Sequence, residues 1–110
     1  MSKNETEVED FSLIGNIDRL IHEPGRLMIM SYLSVVESAD FLFLKRQTGF
    51  TWGNLSAHIS KLEKAGYIEV TKEFVDKKPH TVLHLTEPGR TAFDRYRENM
   101  TQIFGDISTT

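Results

Sequence analysis

The sequence predicts a mainly α-helical domain closed by one small antiparallel β-hairpin. Three observations carry that expectation. Apolar residues recur at steps of three and four in five successive segments, the period drops to about two between residues 68 and 85, and Gly or Pro punctuates several of the junctions. At 110 residues the chain has the length of one domain with one core. The absence of cysteine excludes disulfides, thiolate metal sites and a cysteine nucleophile, and it suits a reducing, cytoplasmic setting. No stretch approaches the roughly 20 apolar residues of a membrane span.

Taken in order, residues 1–10 hold too little apolar surface to offset the cost of ordering them, which predicts a disordered acidic tail. From Phe11, the residues Leu13, Ile14, Ile17, Leu20 and Ile21 keep helical spacing as far as Glu23-Pro24-Gly25, giving a first helix of about three turns. Pro24 suits the opening turn of a second helix, in which Leu27, Met30 and Leu33, flanked by Ile29 and Val36, continue to about Glu37. Ser38 or Asp40 can cap a short third helix, Phe41 to Gln47, which Gly49 ends. Thr51 offers a hydroxyl to the free amides of a fourth helix with Leu55, Ile59 and Leu62 inward, and Gly66 stops it. A short helix, a turn and a capped helix form the helix-turn-helix order.

Next, Ile68, Val70 and Phe74 alternate with Glu69, Thr71 and Glu73, Lys72 being the exception on the apolar side. Asp76-Lys77-Lys78-Pro79 breaks the run, and Thr81, Val82, Leu83 and Leu85 resume it, which predicts the hairpin. Thr86 caps a last helix that tolerates Pro88 in its first turn and carries Phe93, Tyr96, Met100, Ile103 and Ile107 as one seam. The expected organisation is one domain over residues 11–107, with the helix-turn-helix at 41–66, the hairpin at 67–86 and the C-terminal helix at 87–107.

The formal net charge of -3 argues against a nucleic-acid partner, but its distribution argues the other way. Residues 41–80 hold seven basic and four acidic groups, a net +3, against -6 over the remainder, as one DNA-facing surface with acidic faces elsewhere would show. In a helix-turn-helix the second helix enters the major groove, so its solvent face needs short polar groups for base edges and cations for phosphates. Helix 51–65 offers Asn54, Ser56, Ala57, Ser60, Lys61 and Lys64 outward with no acid among them, Glu63 falling nearer the inner flank. Asn54 can pair with adenine, Ser56 and Ser60 can reach bases or phosphates, and Ala57 can meet a thymine methyl. Lys72, Lys77 and Lys78 put cations on the hairpin where it would meet the adjacent backbone.

The run Phe41-x-x-Leu44-Lys45, then Thr51-Trp52-Gly53-Asn54-Leu55-Ser56-x-His58-Ile59-x-x-Leu62-Glu63-x-x-Gly66-Tyr67-Ile68, resembles winged-helix regulators, and Pro79-x-Thr81 with Leu85-Thr86-x-x-Gly89-Arg90 is similar to their second wing strand and closing helix. The resemblance spans about Pro24 to Tyr96 and is to stand-alone winged-helix DNA-binding domains related to the MarR and ArsR regulators. It implies a winged helix-turn-helix with N- and C-terminal dimerisation helices, and sequence-specific binding of double-stranded DNA by a homodimeric transcriptional regulator, repression being the expected sense. Helix 51–65 would take the major groove and wing 72–80 the backbone. The implied DNA-binding residues are Thr51, Trp52, Asn54, Ser56, Ala57, Ser60, Lys61, Lys72, Lys77 and Lys78. Trp52 either touches DNA or packs onto Phe50 or the wing. His58, beside the buried face, reads either as a hydrogen-bonded structural residue or as a base reader. Arg90 suits a phosphate or an acidic side chain equally.

The C-terminal seam runs past what a domain this small can cover. Together with the first helix it predicts a two-fold interface of Ile14, Ile17, Ile21, Phe93, Tyr96, Met100, Ile103 and Ile107. The four histidines show no metal-ligand or triad spacing, so neither an enzyme, a metal nor a cofactor is expected. A small-molecule effector fits such regulators, but no residue set points to one. The competing reading is a winged helix used for protein contacts without specific DNA binding, since a fold alone does not fix function.

Overall fold

The hairpin and the short helices expected between Pro24 and Leu85 organise the computed structural model, which describes residues 15–108 of the chain, with side chains to residue 105. The expected tail at residues 1–10, the start of the first helix at Phe11 to Ile14, and the side chain of Ile107 lie outside the described residues. The elements run α1 (Pro24–Ser34), β1 (Ala39–Asp40), α2 (Phe41–Thr48), α3 (Trp52–Lys64), β2 (Ile68–Val75), β3 (Lys78–Leu85) and α4 (Glu87–Ser108). The four helices pack with an antiparallel sheet of order β1-β3-β2. Leu33, Leu44, Leu55, Leu62 and Leu83, one or two from each of four elements, are wholly buried at its centre.

Four boundaries differ from the sequence reading, each for a local reason. Helical conformation ends at Gly15, not at Glu23, and residues 16–23 form turns. Asp18 directs them: its carboxylate accepts from the amides of Leu20 and Ile21 at 2.9 and 3.1 Å, an alternative to helical hydrogen bonding that aspartate favours. Ile21 is nevertheless fully buried, so its apolar spacing reports burial rather than a helix. Helix α1 ends at Ser34 instead of Glu37, where the Val35 amide donates back to the Tyr32 carbonyl and tightens the last turn. Strand β1 has only two residues, too few for a period, and pairs Ala39 with Leu83 and Asp40 with Val82. The hairpin turn is only Asp76-Lys77, both at positive φ (53° and 66°), and Lys78 and Pro79 already belong to β3. Pro79 faces Phe74 in a pair that exchanges no hydrogen bond in a two-residue hairpin, so its missing amide costs the ladder nothing.

The caps were largely local. Thr51 accepts from the Asn54 amide at 3.1 Å and Asp40 from the Leu42 amide at 2.7 Å. Glu23, not foreseen as a cap, takes the amides of Gly25 and Arg26 at 3.0 Å each. The Gly25 amide, then the Arg26 amide and the positive charges of His58 and Arg26, hold its carboxyl below the usual value in spite of partial burial.

One junction ties α3, the hairpin and α4 together. Gly66 turns the chain at φ 80°, and the Tyr67 amide reaches back to the Leu62 carbonyl at 3.0 Å. Thr86 donates its amide to the Tyr67 carbonyl and its hydroxyl to the Gly66 carbonyl, and accepts the Gly89 amide. Gly89 lies so close to the Tyr67 carbonyl that any side chain there would overlap it. The Tyr67 hydroxyl donates to Asp18 at 2.6 Å, and burial together with that carboxylate pushes its pKa up to about 12.

Candidate nucleic-acid interface

Helix α3 lays Leu55, Ile59 and Leu62 into the core, so its remaining arc is fixed toward solvent by packing rather than by chance. Asn54, Ser56, Ala57 and Lys61 are exposed and Ser60 is half-buried, which places the expected base- and phosphate-reaching residues on one continuous arc with Lys64. Glu63 is exposed as well, two turns beyond Ser56 on the same flank, so the arc is not wholly free of acid. Thr51 is exposed at the helix start, its hydroxyl spent on the cap. No acidic side chain stands in the first turn, leaving the amino end of α3 open to an anion.

Trp52 finds its aromatic partner on α2. Its ring stacks on Phe41 with centroids 5.5 Å apart and planes 6° from parallel, while the Lys45 ammonium sits 5.1 Å from its centroid. It stays 55% exposed, so α2 holds the indole and its cation at the mouth of α3 instead of burying them. Phe50 lies instead against His58. His58 Nδ1 lies 3.3 Å from the Arg26 guanidinium and 3.4 Å from the Glu23 carboxylate, a bridge between α3 and the cap of α1 in keeping with the structural reading. Arg90 donates to the Ser34 carbonyl at 3.3 Å, within the domain.

Lys72, Lys77 and Lys78 are exposed along the outer part of the hairpin. His80 donates to Asp40 at 2.7 Å, tying β3 to the cap of α2. Partial burial raises the Asp40 carboxyl, but the His80 bond, then the Leu42 amide and the His80 charge, outweigh it and leave the pKa below the usual value. The sequence reading missed this pair and the Phe41–Lys45 support of Trp52. The only earlier sign of either was the asymmetric placing of charge, because the partners are distant in sequence. Among the described residues no three His, Asp or Glu side chains converge as a metal site, and no helix is long and apolar enough to cross a membrane.

The expected two-fold residues divide. Ile21, Phe93 and Tyr96 are buried within the single chain, where Tyr96 shares a hydrogen bond with His22 Nδ1 at 2.7 Å, so they are not open to a partner. Ile17, Met100 and Ile103 are half-buried, and Phe104, not foreseen, is 61% exposed. Ile14 lies outside the described residues.

Comparison with known proteins agrees with this geometry. Residues 26–104 match the family described as winged helix DNA-binding domain. An uncharacterised protein of Methanocaldococcus jannaschii, MJ0432, is 33% identical over 89 residues, covering 81% of this chain and 97% of its own. A solved transcriptional regulator homologue from Pyrococcus horikoshii superposes with a TM-score of 0.81 at 27% identity over 90% of this chain and 97% of that one. A MarR-family regulator from Silicibacter pomeroyi shares the fold at a TM-score of 0.62 and 18% identity, over 93% and 68% of the two chains.

Proposed function

The chain belongs to the winged helix DNA-binding domain family, whose members are regulators of transcription rather than enzymes, and on that premise we propose that it acts as a homodimeric, sequence-specific repressor in the cytoplasm. The observation that carries the reading is the arc of α3. Packing turns Asn54, Ser56, Ala57, Ser60 and Lys61 outward together, with Trp52 and Lys45 at one end and the lysines of the hairpin alongside. In the proposed complex α3 lies in the major groove, its short polar side chains read base edges, and Lys72, Lys77 and Lys78 hold phosphates beside it. Thr51 presents its backbone and Trp52 its ring at the point where the helix enters the groove. The functional unit is a single domain over residues 11–107 carrying an acidic tail.

Two copies meet through the far part of α4 in this reading. Ile103 and Phe104 expose apolar surface where the helix has left its own core, and a partner copy that covers it places two α3 helices on one duplex. Ile17 and Met100 complete the proposed contact, with Ile14 and the Ile107 side chain as further candidates from outside the described residues, while Ile21, Phe93 and Tyr96 support it from within.

A winged helix devoted to protein contacts has one observation in its favour. Val35 is 79% exposed, and Val36, Leu42 and Phe43 are exposed around the end of α1 and the start of α2. Selection of duplexes from a random pool by the purified protein separates the two. The repressor reading expects an inverted repeat with half-sites about 10 base pairs apart, bound with an affinity that falls steeply with salt. A pool that shows no enrichment at any salt concentration rejects it in favour of protein contacts.

A further inference from the structure

The two sides of the β2–β3 hairpin differ in chemistry in a way the core does not require. Register sets Ile68, Val70, Lys72 and Phe74 against Leu85, Leu83, Thr81 and Pro79 on one side of the pleat. Ile68, Leu83 and Leu85 are buried, so this is the side turned toward the helices, and it carries Lys72 and no acid. The opposite side carries Glu69 and Glu73 across from His84 and His80, with the Asp40 carboxylate held by His80. Beyond Val70 the helix-facing side outruns the body of the domain. There Lys72 is exposed and Phe74 stands 76% exposed beside Pro79, two residues before the turn that carries Lys77.

A phenyl ring in open water at the end of a strand adds nothing to the core, and its neighbours say what it meets. Lys72 on its side of the pleat and Lys77 in the turn favour a polyanion, offset there only by Asp76, while the carboxylates of Glu69 and Glu73 face away. We infer that Phe74 is an apolar wedge for the minor groove of duplex DNA. With α3 in the major groove and Lys72, Lys77 and Lys78 on adjacent phosphates, the ring enters beside one base step, partly unstacks it and bends the duplex toward the major groove. The inference rests on the DNA-binding reading above and adds to it a bend and the residue that makes it.

The test uses a duplex recovered by selection, labelled at its ends for energy transfer and carrying 2-aminopurine at successive positions flanking the α3 half-site. Wild-type protein is expected to raise energy transfer between the ends and to brighten the aminopurine at one step. Phe74→Ala should abolish both signals and weaken binding about tenfold, the scale of one lost aromatic–base contact. Phe74→Leu should keep most of the bend, because an aliphatic wedge still enters the step. Lys72→Ala should weaken binding and flatten its salt dependence while leaving the aminopurine signal in place. The ring is exposed, so the thermal midpoint of Phe74→Ala should match wild type and a lost signal is not misfolding. A Phe74→Ala protein that bends and unstacks like wild type overturns the wedge and leaves DNA binding standing. A wild-type protein that retains no duplex overturns both.

Discussion

At the base of the β2–β3 hairpin Ile68 and Leu85 face each other at 2% and 8% exposure, beneath the junction where Gly89 presses on the Tyr67 carbonyl. Six residues further along β2, Phe74 and Val75 are 76% and 49% exposed, and the turn beyond them runs through two non-glycine residues at positive φ. One pair of strands thus serves two purposes. The base contributes packing and backbone contacts that fix how α3 and α4 leave the sheet. The tip contributes almost no burial and turns through two residues at positive φ, the conformation a two-residue hairpin needs but one that glycine or asparagine adopts at less cost than lysine.

This contrast can be broken at either end. The largest effect is expected from Gly89→Ala, which forces α4 off the Tyr67 carbonyl and should lower stability by roughly 3–4 kcal/mol, moving the thermal midpoint down by more than about 10 °C. Leu83→Ala, emptying a wholly buried site on β3 toward the base, should cost about 3 kcal/mol in denaturant unfolding. If either variant unfolds like wild type, the base is not where the fold is secured. At the tip, replacing Lys77 and Lys78 together by Ala should leave the midpoint within about 0.5 kcal/mol of wild type. The same change should lower duplex affinity about tenfold and reduce the slope of log affinity against log salt by about 2.

Lys77→Gly sharpens the comparison because stability and binding should move in opposite directions. An Asp-Gly turn accepts positive φ without a β-carbon penalty, so the variant should gain up to about 1 kcal/mol while binding DNA more weakly than wild type. The smallest effect concerns the helix caps. The carboxyls of Glu23 and Asp40 lie below their ordinary values of 4.5 and 3.8 in the folded chain. Their contribution is therefore complete above those values and is lost as pH falls through the lower folded-state ones. The double variant Glu23→Gln, Asp40→Asn should flatten the fall of thermal midpoint with pH below about 4.5 relative to wild type.

Much of the base was legible in the sequence, because its signals are local. Thr51 and Asp40 announced their helices, Gly66 its turn, and the alternation from Ile68 the strand that follows. The likeness to MarR and ArsR regulators, read from the Thr51–Ile68 run, holds at the level of the fold. The tip was read less well, since alternation tells which side of the pleat a residue occupies but not whether any body lies beneath it. Phe74 consequently falls on the apolar side with Ile68 and Val70 although it overhangs. The Asp76-Lys77 turn was hidden for a related reason: Lys78 and Pro79 look like loop residues and are strand residues on an outer, one-sided stretch of β3. Trp52 found Phe41 and Lys45, and Asp40 found His80, through the packing of separate elements, which no local period encodes.

Helix α4 begins on the close approach of Gly89 to the Tyr67 carbonyl and continues for 22 residues, about 33 Å of rod, which the core grips through Phe93 and Tyr96 as far as Met100. Its buried residues Phe93 and Tyr96 make the fulcrum of a lever whose free arm runs on to Phe104, about 12 Å from Tyr96. A tilt of about 10° about that point carries Phe104 through about 2 Å by simple proportion. The packing of the helix on its own core thereby sets where the exposed phenyl ring at its far end stands.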